Sequence, residues 1–213
     1  MLIAIYVLIA SYLIGSIPFG LLIGKINKID IRDHGSGNIG ATNVLRTLGK
    51  KWGYCCFLLD FLKGFTPVMC FKMIIMNSDA PDTVKSYAIP LLVFATVGGH
   101  VFSLFLKFKG GKGIATSAGA IMALAPYPVL VVLVIWIILF KMTGYVSLAS
   151  ILAGAALPFL ALLSNYLKLS TLQNPTIAML FILAILVVVT HRANIKRLLN
   201  GTESSFKKRD KSS

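Results

Sequence analysis

Charge is scarce in this sequence: 13% of its 213 residues are charged against 57% hydrophobic, and mean hydropathy is +0.84. That balance excludes an ordinary soluble globular domain, in which about a quarter of the residues are charged. Cysteine is also sparse. Cys55, Cys56 and Cys70 all fall in one apolar segment, and an odd number there argues against a disulfide framework and for small buried hydrophobes. There is no cluster with metal-ligand spacing, no Cys with a partner His and no G-x-S-x-G elbow, so neither a metal nor a cofactor is expected. Met1 to Gly24 carries no charge and lacks the basic start and small-residue cleavage site of a secretory signal. It is therefore expected to persist as a membrane span. Linkers and internal repeats are missing too, which predicts a single membrane-embedded domain over 1–213 with 191–213 as a basic cytoplasmic tail.

What is present is a succession of apolar runs: Leu2 to Gly24, Trp52 to Met76, Tyr87 to Leu106, Ile114 to Ala125, Pro128 to Phe140, Tyr145 to Leu163 and Thr176 to Thr190. Hydrocarbon admits such runs only as helices, so the fold class is an all-α, polytopic membrane helix bundle. The first loop holds Lys25, Lys28, Arg32, Arg46, Lys50 and Lys51 against Asp30 and Asp33, whereas the next has Asp79, Asp82 and only Lys85. By the positive-inside rule the first loop is cytoplasmic and the amino terminus outside. Lys107, Lys109 and Lys112, and a tail with Arg192, Lys196, Arg197, Lys207, Lys208, Arg209 and Lys211, also belong inside. Ile114 to Ala125 is only about 18 Å long, short for a span, but fusing it with the next run would export the basic tail. Seven crossings are therefore expected, with Ala125-Pro126-Tyr127-Pro128 as a tight outer turn between two short helices. A five-crossing arrangement, with that pair as a re-entrant hairpin, stays open.

Three cytoplasmic stretches carry chemistry. Gly35 to Arg46 gathers glycines, hydroxyls, carboxamides and a guanidinium, the means by which backbone amides approach an anion. It contains G-x-G-x-x-G, yet no strand precedes it, which rejects a dinucleotide site. Phe105 to Gly113 runs into an apolar helix; glycines before a helix start expose free N–H groups, and Lys112 adds a charge. The loop is not a Walker A motif, because Gly follows the lysine. Lys107 and Lys109 fit the ordinary boundary pattern; Lys112, set among glycines, is the phosphate candidate. His191 to Glu203 predicts an interfacial helix ended by Gly201, with His191 and Asn194 on one face. Within the membrane, Asp60 and Lys63 share a helical face, so mutual pairing or a polar cavity is expected, and His100 is expected to bond a backbone carbonyl.

Gly15-Ser16-Ile17-Pro18-Phe19-Gly20, the Ser36 to Arg46 loop, Phe108-Lys109-Gly110-Gly111-Lys112-Gly113, Tyr145-Val146-Ser147-Leu148-Ala149-Ser150 and His191 to Glu203 together resemble the acyl-phosphate-dependent glycerol-3-phosphate acyltransferases of bacterial inner membranes. The resemblance runs in order over nearly the whole chain. It implies transfer of a fatty acyl group from acyl phosphate to the 1-hydroxyl of glycerol 3-phosphate, giving lysophosphatidic acid and inorganic phosphate. It further implies that Ser36, Arg46, Lys112, Ser150, His191 and Asn194 bind phosphates and orient the reacting groups, with His191, Asn194 and Ser36 nearest the chemistry. Amides from Gly40, Ala41, Thr42 and Asn43 line a phosphate pocket in the same reading. Two positions depart from the family pattern: Ser103 stands where Pro is frequent, and Thr190 where Arg is frequent.

An H-x-x-x-x-D base is missing, since Ile39, Phe105 and Lys196 follow His34, His100 and His191 at the required spacing. Acyl phosphate is already activated, so positioning and charge stabilisation carry the rate, and a substrate phosphate oxygen or His191 takes the hydroxyl proton. The expected partners are the two substrates and membrane lipids, with no nucleic acid. A transporter or channel for an organic phosphate is the competing class. It would place paired polar sites near the midplane of inverted repeats, whereas these motifs cluster on one face.

Overall fold

The structure, a computed structural model, describes residues 2–207; of the expected basic tail, Lys208, Arg209 and Lys211 lie outside the described residues. All regular structure among them is helical. The chain packs as two compact units, Met1–Pro126 and Tyr127–Ser213.

The first unit opens with α1 (Leu2–Ser16) and α2 (Phe19–Ile26), a single apolar rod interrupted at Ile17 and Pro18. Pro18 has no N–H to continue the ladder, and the helix breaks there. Two side chains bond carbonyls at the break: Ser103 Oγ donates to Ser16 O and Lys63 Nζ donates to Ile17 O, each at 2.6 Å. Such satisfaction is required where no water reaches the backbone. Ser103, the departure from the family pattern, thus has a defined task.

After α3 (Ala41–Leu48) come α4 (Lys50–Met76), α5 (Asp82–Val101) and α6 (Ile114–Met122). Glycines let these helices touch backbone to backbone, as small residues do in membrane bundles. A methyl on Gly15 would strike Thr96 O and one on Gly99 would strike Tyr12 O, so α1 and α5 are in direct contact. Gly64 and Gly119 do the same for α4 and α6, facing Thr116 O and Phe61 O. Around the first loop, Leu21, Ile23, Ile31, Ile39, Val44 and Cys56 bury one another, clamping α2, the loop and α3 onto the start of α4.

In the second unit α7 (Pro126–Thr143) leads to α8 (Val146–Tyr166), α9 (Asn174–Thr190) and α10 (Arg192–Leu199). The small buried face of α8, Ala149, Ala153 and Ala161, accepts larger residues of α9, and Gly154 lies against Val187. α9 and α10 meet at His191 with a bend of 57°. α10 ends where Gly201, at φ +67°, lets Gly201 N and Thr202 N turn back to Leu198 O and Arg197 O. The tail then returns, and Phe206 N bonds Gly144 O at 2.9 Å.

Four segments have the length and hydropathy to cross a bilayer: Ala4–Ile26, Asp82–Leu106, Pro126–Thr143 and Val146–Tyr166; the bent pair Asn174–Thr190 and Arg192–Leu199 makes a fifth. The 27 residues of α4 span about 40 Å, and Asp60 and Lys63 are buried within it. One expectation is corrected. Pro126 does not sit in a loop but opens α7, because a residue without an N–H suits the first helical position; the turn is 123–125, and α7 has 18 residues rather than being short.

Candidate functional site

In the first unit the loop from Gly35 to Arg46 is organised by Asn43. Its side chain is buried, accepts from Ser36 N at 2.8 Å and donates to Ile31 O and His34 O at 3.0 Å. Asn43 is thus the fastener that shapes the loop. Gly40 N bonds Asn38 Oδ1 and Asn43 N bonds Gly40 O, so two of the expected pocket amides already have internal acceptors. The N–H groups of Ala41 and Thr42, in the first turn of α3, do not, and they point along the positive end of that helix. Ser36 is exposed and Arg46 half-buried. Nearby, the Arg32 guanidinium bonded to Asp30 holds that carboxyl well below the usual carboxylate range, so Arg32 is already matched by charge.

The second loop folds back on the end of α5. Phe108 N bonds Ser103 O, Gly110 N bonds Val101 O and Gly111 N bonds His100 O, at 2.8, 3.0 and 3.1 Å. A side chain at Gly110 would strike His100 O, and one at Gly111 would strike the ring at Nε2. These two glycines are therefore required by close approach. Lys107 and Lys109 are exposed, whereas Lys112 is half-buried one residue before the left-handed Gly113 that caps α6.

Beneath this loop lies the intramembrane group. Lys63 Nζ stands 2.8 Å from Asp60 Oδ1, both side chains nearly inaccessible, and its directed hydrogen bond goes to Ile17 O. Cys56 Sγ reaches Asp60 Oδ2 at 3.7 Å. His100 does not bond a carbonyl through its ring, contrary to expectation: Nδ1 faces Asp60 Oδ1 at 3.8 Å, beyond hydrogen-bond reach, and the ring packs on Gly111.

In the second unit Glu203 is the centre. Ser147 Oγ and Asn194 Nδ2 both donate to its Oε1, at 2.7 and 2.8 Å, and Arg197 Nε donates to Oε2 at 2.7 Å. Burial pushes the Glu203 carboxyl up, but the hydrogen bonds from Asn194, Ser147 and Arg197, with the guanidinium charge, outweigh it and hold the carboxyl below its ordinary value. His191 is buried at the α9–α10 bend, with Nδ1 2.8 Å from Val187 O. A carbonyl only accepts, so Nδ1 carries a hydrogen. Ser150, one turn after Ser147, is buried and accepts from Trp136 Nε1 at 3.0 Å.

Ser36 and Lys112 fall in glycine loops, Gly40 to Asn43 and Ser150 near helix starts, His191 and Asn194 at the α9–α10 bend, and Arg46 in the last turn of α3. Within the first unit Ser36 and the Gly40 to Asn43 amides belong to one loop; within the second, Asn194 is tied through Glu203 to the start of the helix that bears Ser150. Glu203, Ser147 and Trp136 had no assigned role in the sequence. The one signal for Glu203 was its place just after the Gly201 turn.

The family model for glycerol-3-phosphate acyltransferase matches residues 5–201. The glycerol-3-phosphate acyltransferase of Geotalea daltonii is 45% identical over 204 residues, covering 96% of this chain and 98% of that protein. Its counterpart from Aquifex aeolicus is 41% identical, covering 95% and 99%. Among solved structures, the glycerol 3-phosphate form of PlsY (YgiH), an integral membrane glycerol 3-phosphate acyltransferase, superposes with a TM-score of 0.83 at 38% identity and 96% coverage of both chains. The lysophosphatidic acid form of that protein gives 0.81.

Proposed function

The chain belongs to the glycerol-3-phosphate acyltransferase family and is an acyltransferase, and from that premise we propose that acyl phosphate is its donor and the 1-hydroxyl of glycerol 3-phosphate its acceptor. The transporter alternative is set aside by the same membership. The family match extends through both compact units, which supports treating residues 1–213 as one acyltransferase.

In the proposed reaction the hydroxyl oxygen bonds the acyl carbon, the bond from that carbon to phosphate oxygen breaks, and inorganic phosphate leaves. The hydroxyl proton passes to a substrate phosphate oxygen or to His191, whose ring is oriented by the Nδ1 bond to Val187 O. Ser36, Arg46 and Lys112, with the amides of Ala41 and Thr42, hold phosphate oxygens through the first unit; Ser150, His191 and Asn194 do so through the second. Positive helix ends and fixed donors lower the barrier without needing a strong base, because the donor is already activated.

The observation that carries this reading is the half-buried Lys112 set among glycines, beside two lysines that stay exposed. We also propose seven crossings, with the amino terminus outside and α10 at the cytoplasmic face of a bacterial inner membrane. The loop charges support this, with α6 as the one short traverse. The deciding experiment gives purified protein radiolabelled glycerol 3-phosphate with either acyl phosphate or acyl-CoA. Lysophosphatidic acid should form with acyl phosphate only; comparable turnover of acyl-CoA would refute the donor assignment.

A further inference from the structure

Several hydroxyls on the helices of this chain place their hydrogen within their own helix, although the buried Thr116 Oγ1 has no partner among the described residues. Ser11, Ser16, Thr96 and Thr143 each donate to the carbonyl four residues earlier, at 2.7 to 2.8 Å. Ser147 donates instead to Glu203 at 2.7 Å. Ser150 is different. Its side chain is only 4% exposed, yet its sole hydrogen bond among the described residues is one it accepts, from Trp136 Nε1 at 3.0 Å.

A hydroxyl has one hydrogen and two lone pairs, while an indole N–H can only donate. The Trp136 bond therefore occupies a lone pair of Ser150 Oγ and leaves its hydrogen unused. Withdrawal of density through the accepted bond also makes that hydrogen a better donor to an anion. Packing fixes the indole: Trp136 stacks on Phe140 with centroids 5.3 Å apart, and Phe140 meets Phe206 edge-on at 5.8 Å. We infer that Trp136 is a positioning residue which turns the Ser150 hydroxyl into a dedicated donor to a substrate phosphate oxygen. The inference rests on the reading above that Ser150 meets such an oxygen.

A purely packing role for Trp136 predicts something else, because the ring contacts would survive Trp136→Phe while only the N–H is lost. The test compares initial rates of the full chain and of Ser150→Ala, Trp136→Phe and the double variant, with acyl phosphate and glycerol 3-phosphate. Ser150→Ala should lower kcat/KM by about tenfold or more and Trp136→Phe by about fivefold, the scale of one hydrogen bond to an anion and of one neutral bond. The double variant should be no slower than Ser150→Ala alone, since the indole acts only through that hydroxyl. Normal kinetics for Trp136→Phe beside an impaired Ser150→Ala would overturn the inference alone, as would losses that multiply in the double variant. Normal kinetics for Ser150→Ala would overturn the reading of Ser150 and the inference with it.

A second measurement leaves Trp136 in place. With 15N-labelled tryptophan, and Trp52→Phe to assign the two indoles, the Trp136 Nε1–H resonance should move when glycerol 3-phosphate or a non-hydrolysable acyl phosphonate saturates the protein. The shift should vanish in Ser150→Ala. A resonance unmoved by both ligands would overturn the proposal.

Discussion

The ammonium of Lys63 donates a 2.6 Å hydrogen bond to Ile17 O, at the break in the first apolar rod. It stands 2.8 Å from Asp60 Oδ1 at the same time. One side chain thus bonds a carbonyl at the helix break and balances a carboxylate buried in the membrane. Removing it strands the carboxylate and leaves Ile17 O with only its bond from Phe19 N at 3.2 Å.

Lys63→Met should therefore be among the most destabilising changes in the protein, on the order of 3–5 kcal/mol, the cost of leaving a buried charge unpaired. Lys63→Met with Asp60→Leu should recover much of that loss, because no charge remains to be stranded, though Ile17 O keeps only its bond from Phe19 N. Thermal unfolding in detergent measures both. A midpoint for Lys63→Met at the wild-type value, or a double variant worse than the single, would contradict the assigned pairing.

Glu203 gives a pH prediction. Its carboxyl in the folded chain lies below the ordinary glutamate value of 4.5, since three donors and the Arg197 charge outweigh its partial burial. The folded tail thus binds a proton less readily than the unfolded tail does. Its stabilising effect is complete above about pH 4.5 and is lost as pH falls through the depressed value. In a cysteine-free background, a spin label at Thr202→Cys should be immobile at pH 6 and gain mobility on acidification below about pH 4. Glu203→Gln should abolish that transition; an unchanged one would assign it to another group.

The architecture was legible because hydrocarbon imposes its own grammar. Apolar runs marked the helices, and the i, i+3 spacing of Asp60 and Lys63 foretold their 2.8 Å contact. Lys112 is half-buried whereas Lys107 and Lys109 are exposed, a difference in burial that does not follow from their shared boundary position. What sequence withheld is tertiary. No local rule brings Glu203 back to Ser147, 56 positions away, or Lys63 to Ile17 across 46. Nor could spacing show that Trp136 would select Ser150 as its acceptor. The Pro126 error was one of register: the same residue stops a helix or starts one, depending on whether a backbone N–H is needed there.

Orientation is tested from the surface. With Cys55, Cys56 and Cys70 replaced by Ala, a cysteine at Asp79 should react with a membrane-impermeant maleimide added outside intact cells. A cysteine at Ser205 should react only after permeabilisation. Labelling of position 205 from outside would export the tail and require an even number of crossings.

The last prediction separates substrate binding from topology at the glycine loop. Lys107, Lys109 and Lys112 lie within six residues, and all satisfy the positive-inside rule equally well. Only Lys112 is half-buried, next to Gly113 and just after Gly111, whose N–H is fixed to His100 O at 3.1 Å. The first two lysines are exposed, and Lys107 lies in a left-handed turn at φ 51°. A charged hydrogen bond to phosphate contributes roughly 1.5–3 kcal/mol, or about ten- to a hundredfold in kcat/KM. Lys112→Ala should lose activity on that scale with expression and membrane insertion intact, and Lys112→Arg should recover part of it by restoring the charge. Lys109→Ala should change kcat/KM by no more than about twofold, as an exposed charge contributes little. Equal losses in Lys109→Ala and Lys112→Ala would mean that the loop acts through its general positive potential, and the assignment of Lys112 to a substrate phosphate would fall.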